Sequence, residues 1–422
     1  MNLKTTVRVR PHVPHDIEYT QWQKDGMPCP STAGEWTAGT ISATISKVNS
    51  YSSLSIGEIS FPFGQILGPA STQRDVFLHC GRPLVAQLFS GLNGCLFAYG
   101  QTGSGKTHSM LGPQGGQSRS ELSGVIPQVA HEIFTRAKEE ENQVQMELGL
   151  ASATYSQFQV RVSYIETYQS KVYDLLREED QSFWKNEIVL SKRTGNEESE
   201  SAGQLQFKGP NTTGCLPVSC SNIIVTSESA LMHVIARGSQ RRHTLSTGVH
   251  DSSSRSHALL TIELEHRWRT PLEHVATEGE MSAKGKESFG GADSPMQQRK
   301  TYLQLVDLAG SEDTNRAHSG SVDEAGCAIN HGLLVLGRVV RALAKNESHV
   351  PFRESALTRL LQRSLEGNCS SHLLACVSPA SLDQAESIRT LRFATVANQV
   401  WKRARVKNCC WLVLYEEMKL MT

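Results

Sequence analysis

The run Cys95-Leu-Phe-Ala-Tyr99 is apolar throughout and short enough for a buried strand, and it breaks at Gly100. Tyr302-Leu-Gln-Leu-Val306 is a second such run, ended by Asp307. Ala258-Leu-Leu-Thr-Ile-Glu-Leu264 alternates as a strand with one wetter face does, and a cluster of hydroxyls stands directly ahead of it. Helical spacing comes later. In Asn330–Leu343 the apolar positions 333, 336, 340 and 343 recur at intervals of three and four, which predicts a helix with one buried face. Three polar stretches read as solvated loops: Glu178 to Pro217, with Asn-Glu-Glu-Ser-Glu-Ser at 196–201; Trp268 to Gln298; and the shorter Gly112 to Ser123.

The residues at the ends of these runs carry the chemistry. Gly100-Gln101-Thr102-Gly103-Ser104-Gly105-Lys106-Thr107 fills every position of the pattern GxxxxGK[ST]. Glycines let the backbone turn tightly so that successive N–H groups face phosphate oxygens; Lys106 is placed to neutralise phosphate charge and Thr107 to ligate Mg²⁺. The stretch predicts binding of a nucleoside triphosphate. A flexible Gly/Ser turn is the plainer alternative, and the preceding strand and following Lys-Thr both count against it. Asp307 is suited to hold a Mg²⁺ shell, and Gly310 beyond it can bring a backbone N–H close to a γ-phosphate. Alone, an acid at a strand exit is as readily a solvated side chain. Asp251-Ser-Ser253-Ser254-Arg255-Ser-His257 offers hydroxyls that can ligate a metal and orient a water without adding negative charge, or else is an ordinary polar loop.

In this order, the glycine-rich stretch, Ser253-Ser254-Arg255-Ser-His257 and Asp307-Leu-Ala-Gly310-Ser-Glu312 resemble the kinesin motor domain. So do Val7-Arg8-Val-Arg10-Pro11, Tyr99 to His108, Val162-Ser-Tyr-Ile-Glu166 and Tyr173-Asp174-Leu-Leu. Later, His349-Val-Pro-Phe-Arg353-Glu-Ser-Ala-Leu-Thr358-Arg359 and Leu391-Arg-Phe-Ala394 extend the resemblance, which runs from residue 4 to residue 400. It implies an α/β fold of the P-loop NTPase kinesin motor type, with a central mixed β-sheet flanked by helices on both faces. That domain would occupy 1–400, with a short divergent neck or tail remnant at 401–422.

The resemblance also implies ATP and Mg²⁺ as cofactors and a role for each matching residue. Arg8, Pro11 and His108 would enclose the adenine, and Gly100 to Thr107 the phosphates. Thr107, Ser254 and Asp307 would hold the metal, while Ser253 and Ser254 would hold the lytic water. Gly310 would sense the γ-phosphate, and Arg255 would pair with Glu312 when the site closes. The implied function is that of a microtubule-dependent motor ATPase of the cytoplasm and the microtubule cytoskeleton. An alternative from another class is a catalytically weak, nucleotide-bound microtubule-binding or regulatory module without motility. A switch-type GTPase is disfavoured, because its guanine-selecting Asn-Lys-x-Asp pattern is missing.

Composition bounds this picture. A length prior of roughly 100–200 residues per domain would divide the chain, yet motifs spread from Arg8 to Glu312 leave no boundary between them. With 42 basic and 42 acidic residues the formal charge is zero, so no nucleic-acid partner is expected and an acidic filament would need a local patch. Arg338, Arg341, Arg353, Arg359 and Arg363 are the candidates to meet tubulin carboxylates, each as readily part of a solvated face. The chain departs from the family there: His331 and Ala356 stand where lysines are usual, and Val249-His250 where Met-Asn is usual. Ten cysteines without metal-ligand spacing suit a reducing compartment. No signal-like opening is found, and no apolar run approaches the ~20 residues of a membrane helix. After Asn398 there is no room for a heptad array, so a monomer without coiled coil is expected. Lys402 to Lys407 is basic, and Cys409 to Tyr415 reads as a docked strand or a divergent end.

Overall fold

The computed structural model describes residues 3–11, 43–48, 51–56, 58–113, 122–148, 156–168, 171–177, 187–188, 220–244, 255–269, 296–312, 324–367 and 369–400. Ser253, Ser254, His250 and the stretch 401–422, all assigned above, lie outside these residues.

The frame is a mixed sheet. In space its strands run β5 (Gln65–Leu67), β1 (Lys4–Val9), β13 (Cys369–Val377), β6 (Asn93–Tyr99), β12 (Met296–Asp307), β11 (His257–Arg269), β7 (Ser156–Tyr168), β8 (Lys171–Asp174), β9 (Glu187–Ile188), with β10 (Ile223–Val225) also on β7. From β5 to β12 the neighbours are parallel, and from β12 to β9 they are antiparallel. A smaller antiparallel sheet joins β2 (Ala43–Val48), β3 (Tyr51–Ile56) and β4 (Ile59–Phe63).

The parallel strands are apolar on both faces because both faces are covered. In β6, Cys95 and Phe97 enter one core, and Leu96 and Ala98 the other; in β13, Leu373 and Ala375 part from Leu374 and Cys376 in the same way. The first core is closed by α6 (Glu324–Ala344), α7 (Ala356–Glu366) and α8 (Gln384–Asn398). The second is closed by α1 (Gln73–Val76), a π-helical turn at Phe77–Gly81, α2 (Arg82–Phe89), α4 (Val125–Leu148) and α5 (Glu228–Thr244). Helices on both faces of a mixed sheet are the arrangement expected. A short α3, Lys106–Met110, follows the glycine loop. Among the described residues no helix is long and apolar enough to cross a membrane.

In α6 the spacing reads as predicted, although the helix begins earlier than expected. Leu333, Leu336 and Val340 are buried and Leu343 packs on the same core, leaving His331, Leu334, Arg338 and Arg341 as an exposed stripe. Two stretches read as loops contain strand instead. Glu187–Ile188 adds β9 to the sheet edge, and the β11–β12 pairing continues out to Arg269 and Met296. Polar composition hid that extension. His266 stacks on Phe158 at 4.1 Å and on Trp268 at 4.7 Å, and Arg299 covers the Trp268 ring, so contacts along and between strands supply what local hydrophobicity lacks.

Candidate functional site

Strands β6 and β12 are parallel neighbours with Asp307 paired to Ala98, so the loop leaving one and the acid ending the other emerge side by side. Gly100 has a φ of 149°, which side chains avoid, and a Cβ there would run into the Cys376 carbonyl. Ser104 Oγ and Lys106 Nζ both donate to the Gln101 carbonyl, at 2.7 and 2.8 Å, closing the loop on itself. Thr102 and Gly103 are exposed at its crest. The loop is also held from the β12 side. Ser311 N donates to the Gly100 carbonyl at 3.1 Å, and Glu312 accepts from Thr102 N at 2.7 Å and from the Thr102 hydroxyl. A Cβ on Gly310 would collide with those same Glu312 and Thr102 atoms.

Asp307 is the meeting point. Its Oδ2 accepts from Thr107 Oγ1 at 2.7 Å and from Arg242 Nη1 at 2.8 Å, while Oδ1 is buried and accepts nothing among the described residues. An unsatisfied buried acceptor costs about 1–3 kcal/mol, so a ligand for that oxygen would be bound with profit. A hydroxyl beside a carboxylate is the donor set a hard, oxygen-seeking divalent cation takes. Burial lowers the Lys106 ammonium below its ordinary pKa, and the carboxylates of Asp307 and Glu312 oppose this. Phosphate oxygens would add to that opposition. Glycine loop, buried ammonium, hydroxyl and orphaned carboxylate oxygen together fit a magnesium triphosphate.

Sequence reading left Arg242 of α5 without a role. Arg242 is 3% exposed, and its guanidinium donates through Nη2 to the Ser256 carbonyl at 3.1 Å and through Nε to Ser256 Oγ at 3.4 Å, with Glu166 Oε1 3.9 Å away. Burial opposes its charge, but Asp307, Tyr164 and Glu166 outweigh burial and raise its pKa. Burial pushes the Glu166 carboxyl up, with Arg242 pulling the other way. His257 accepts from Ala309 N at 2.9 Å through Nδ1, which leaves the ring proton on Nε2. Burial and the nearby Arg242 push this imidazole down to about 3, so it is neutral. One signal existed: Glu166 is a lone carboxylate inside a strand buried on both faces, and such a group needs a buried partner.

The remaining candidates fall at the margins. Arg8 is 6% exposed, and its Nη1 donates to Gln73 Oε1 at 2.9 Å and Ser109 Oγ at 2.6 Å; Gln73 Nε2 in turn donates to the His108 carbonyl at 2.6 Å. Arg8 thus ties β1 to the helix behind the loop, while Pro11 and His108 are exposed. Arg255 is half-buried two residues ahead of β11, and the Glu312 carboxylate is engaged by Thr102 in this structure. Away from the loop, Arg338 donates to both oxygens of Glu354, at 2.5 and 3.2 Å. Arg359 Nε donates to the Arg353 carbonyl at 3.2 Å.

Known proteins are similar to this chain along most of its length. The family model of the kinesin motor domain matches residues 8–400. The kinesin-like protein KIN-4A of Gossypium hirsutum is 35% identical over 360 residues, 84% of this chain and 32% of its own length. Kinesin heavy chain isoform 5C of Rattus norvegicus is 32% identical over 365 residues, 85% of this chain and 32% of its own length. The chain therefore spans about a third of the length of these relatives. A solved structure of a fast kinesin matches with a TM-score of 0.70 at 27% identity, covering 96% of this chain and 93% of that one. The chain belongs to the kinesin motor domain family.

Proposed function

We propose that this chain is a microtubule-dependent motor ATPase, which hydrolyses ATP with Mg²⁺ and couples movement of the β12 exit to filament binding and motion. The supporting observation is a double bridge between the glycine loop and that exit: Thr107 to Asp307, and Thr102 to Glu312. A ligand entering the loop would lie beside both contacts.

Bound Mg²⁺ would supply charge neutralisation at the phosphoryl group. Thr107, Asp307 and Ser254 would hold it. Lys106 would exchange the Gln101 carbonyl for phosphate oxygens, and Gly310 would turn its N–H toward the γ-phosphate. Glu312 lies against Gly310 and Thr102, and once released from Thr102 it would pair with Arg255, a charge-assisted contact that would close the site and break again on phosphate loss. Ser253 and Ser254 would orient the water, and Pro11, His108 and Arg8 would shape the adenine wall. Positioning and charge stabilisation supply the rate, so no single general base is required. On this reading the exposed stripe of α6 faces the filament, and the protein works in the cytoplasm on the microtubule cytoskeleton.

ATP turnover with and without microtubules tests this. Stimulation of about tenfold or more is expected, and Lys106→Ala should lower turnover by roughly 100-fold, about 2.7 kcal/mol in the barrier. Turnover indifferent to filaments would overturn the motor in favour of a regulatory module, and undiminished turnover in Lys106→Ala would overturn the assigned site.

A further inference from the structure

Behind the glycine loop runs a buried polar relay. Gln73, the first residue of α1, is 3% exposed and uses both ends of its amide. Its Oε1 accepts from Arg8 Nη1 at 2.9 Å, and its Nε2 donates to the His108 carbonyl at 2.6 Å. An arginine carries only donors, so the Arg8 contact settles which end of the amide is oxygen and turns the NH2 group toward His108. Arg8 meets no carboxylate within ion-pair distance among the described residues; its other acceptor is Ser109 Oγ, at 2.6 Å. Burial lowers its pKa. A buried cation held by two neutral oxygens loses stability if either is removed, so the amide is fixed in this sense.

The main chain of Gln73 is pinned as well. Thr72 and Asp75 cap α1 reciprocally, at 2.8 and 3.2 Å, and Gln128 Nε2 at the start of α4 donates to the Gln73 carbonyl at 3.1 Å. His108 belongs to α3, a helix of five residues whose last carbonyls depend on partners from outside it. The His108 carbonyl accepts from Gly112 N at 3.0 Å and from the Gln73 amide, so Gln73 sets how α3 is turned about its axis. The phosphate loop has other supports. Lys106 and Ser104 close it on the Gln101 carbonyl, Thr107 is held by Asp307, and Arg8 reaches it through Ser109, which donates to the Gly105 carbonyl at 2.7 Å. None of these contacts includes Gln73. We propose that Gln73 is a positioning residue for the base end of the nucleotide: it holds the His108 main chain, and with it the ring beside the base, and leaves the phosphate grip to other residues. The proposal rests on His108 forming part of the adenine wall.

Equilibrium binding of MgATP and of magnesium tripolyphosphate to the full chain tests this, because the second ligand has the phosphates and no base. Gln73→Met, similar in length but without the amide, should weaken ATP about tenfold and tripolyphosphate less than about twofold. Gln73→Glu keeps an acceptor for Arg8, which protects the buried cation and the fold, but its carboxylate cannot donate to His108. It should show the same selective loss. In a His108→Ala background, where the ring is already gone, Gln73→Met should weaken ATP less than about twofold further, since the two residues act as one unit. An unchanged ratio of the two affinities in both variants, equal loss of both ligands in both variants, or full additivity with His108→Ala would overturn the proposal while leaving the nucleotide site standing. A parent chain that binds ATP no more tightly than tripolyphosphate would overturn the adenine wall and this proposal with it, and a parent that binds neither would overturn the nucleotide site itself.

Discussion

Arg242 is the residue on which two strands depend. It lies between Glu166 of β7 and Asp307 of β12, all three within a few per cent of full burial, so each charge is tolerated only because the others are there. Truncating the arginine would strand both carboxylates. Arg242→Ala is therefore expected to cost about 3–5 kcal/mol in urea unfolding, and Arg242→Lys to recover only part, because an ammonium lacks the planar fork that reaches Asp307 and Ser256 together. A loss below about 1 kcal/mol in the alanine variant would show that the pair adds little. Nothing near Arg242 in the chain foretells this role. The neighbouring Arg241 is equally basic, yet it donates to the carbonyls of Leu175 and Arg177 instead. One residue of rotation on α5 separates the two fates.

At the level of elements, α6 divides into a buried face and an exposed one. Its buried positions were readable from spacing alone, and so was the grouping of its arginines on one face. What each arginine does on that face was not readable. Arg338 is held by both oxygens of Glu354, from the turn before α7, while Arg341 lines a cavity that opens toward α8. The Arg338 pair is exposed, so its contribution to stability is small, below about 1 kcal/mol. Its cost would fall on binding instead, since a guanidinium paired within the molecule attracts an acidic filament weakly. Glu354→Gln should leave the melting temperature within error and raise microtubule co-sedimentation several-fold at low salt, with the gain fading as salt rises. Unchanged co-sedimentation would remove Arg338 from the filament face.

At the scale of the molecule, the described residues include two buried histidines, His257 and His372, pushed down to about 3, and a half-buried one, His266, pushed down to about 4, each mainly by burial. Unfolding returns them to an ordinary value of 6.5, so below that pH the unfolded chain binds more protons and the folded state loses stability as pH falls toward 4. Glu140, raised to about 7 by burial, takes its proton in the folded state and opposes part of this slope. His372→Gln isolates one histidine. Thr6 Oγ1 lies 2.9 Å from His372 Nε2 and can bond an amide as well. Between pH 6.5 and 4 the variant's stability should fall less steeply than the parent's by about 1.4 kcal/mol per pH unit, read from urea midpoints. Parallel slopes would mean that His372 is protonated in the folded state. The sequence by itself determined the glycine loop and the acid that stands beside it. The spacing GxxxxGKT shapes its own backbone, and Asp307 follows directly from an apolar strand. Only the tertiary structure decided which charges meet: Arg242 with Asp307 across 65 residues, Thr102 with Glu312 across 210, Arg338 with Glu354, and Arg341 with a cavity. The reason is physical. Local chemistry is written in covalent spacing, whereas the partner of a buried or folded-over charge is chosen by strand order and helix rotation, which no short stretch of chain contains.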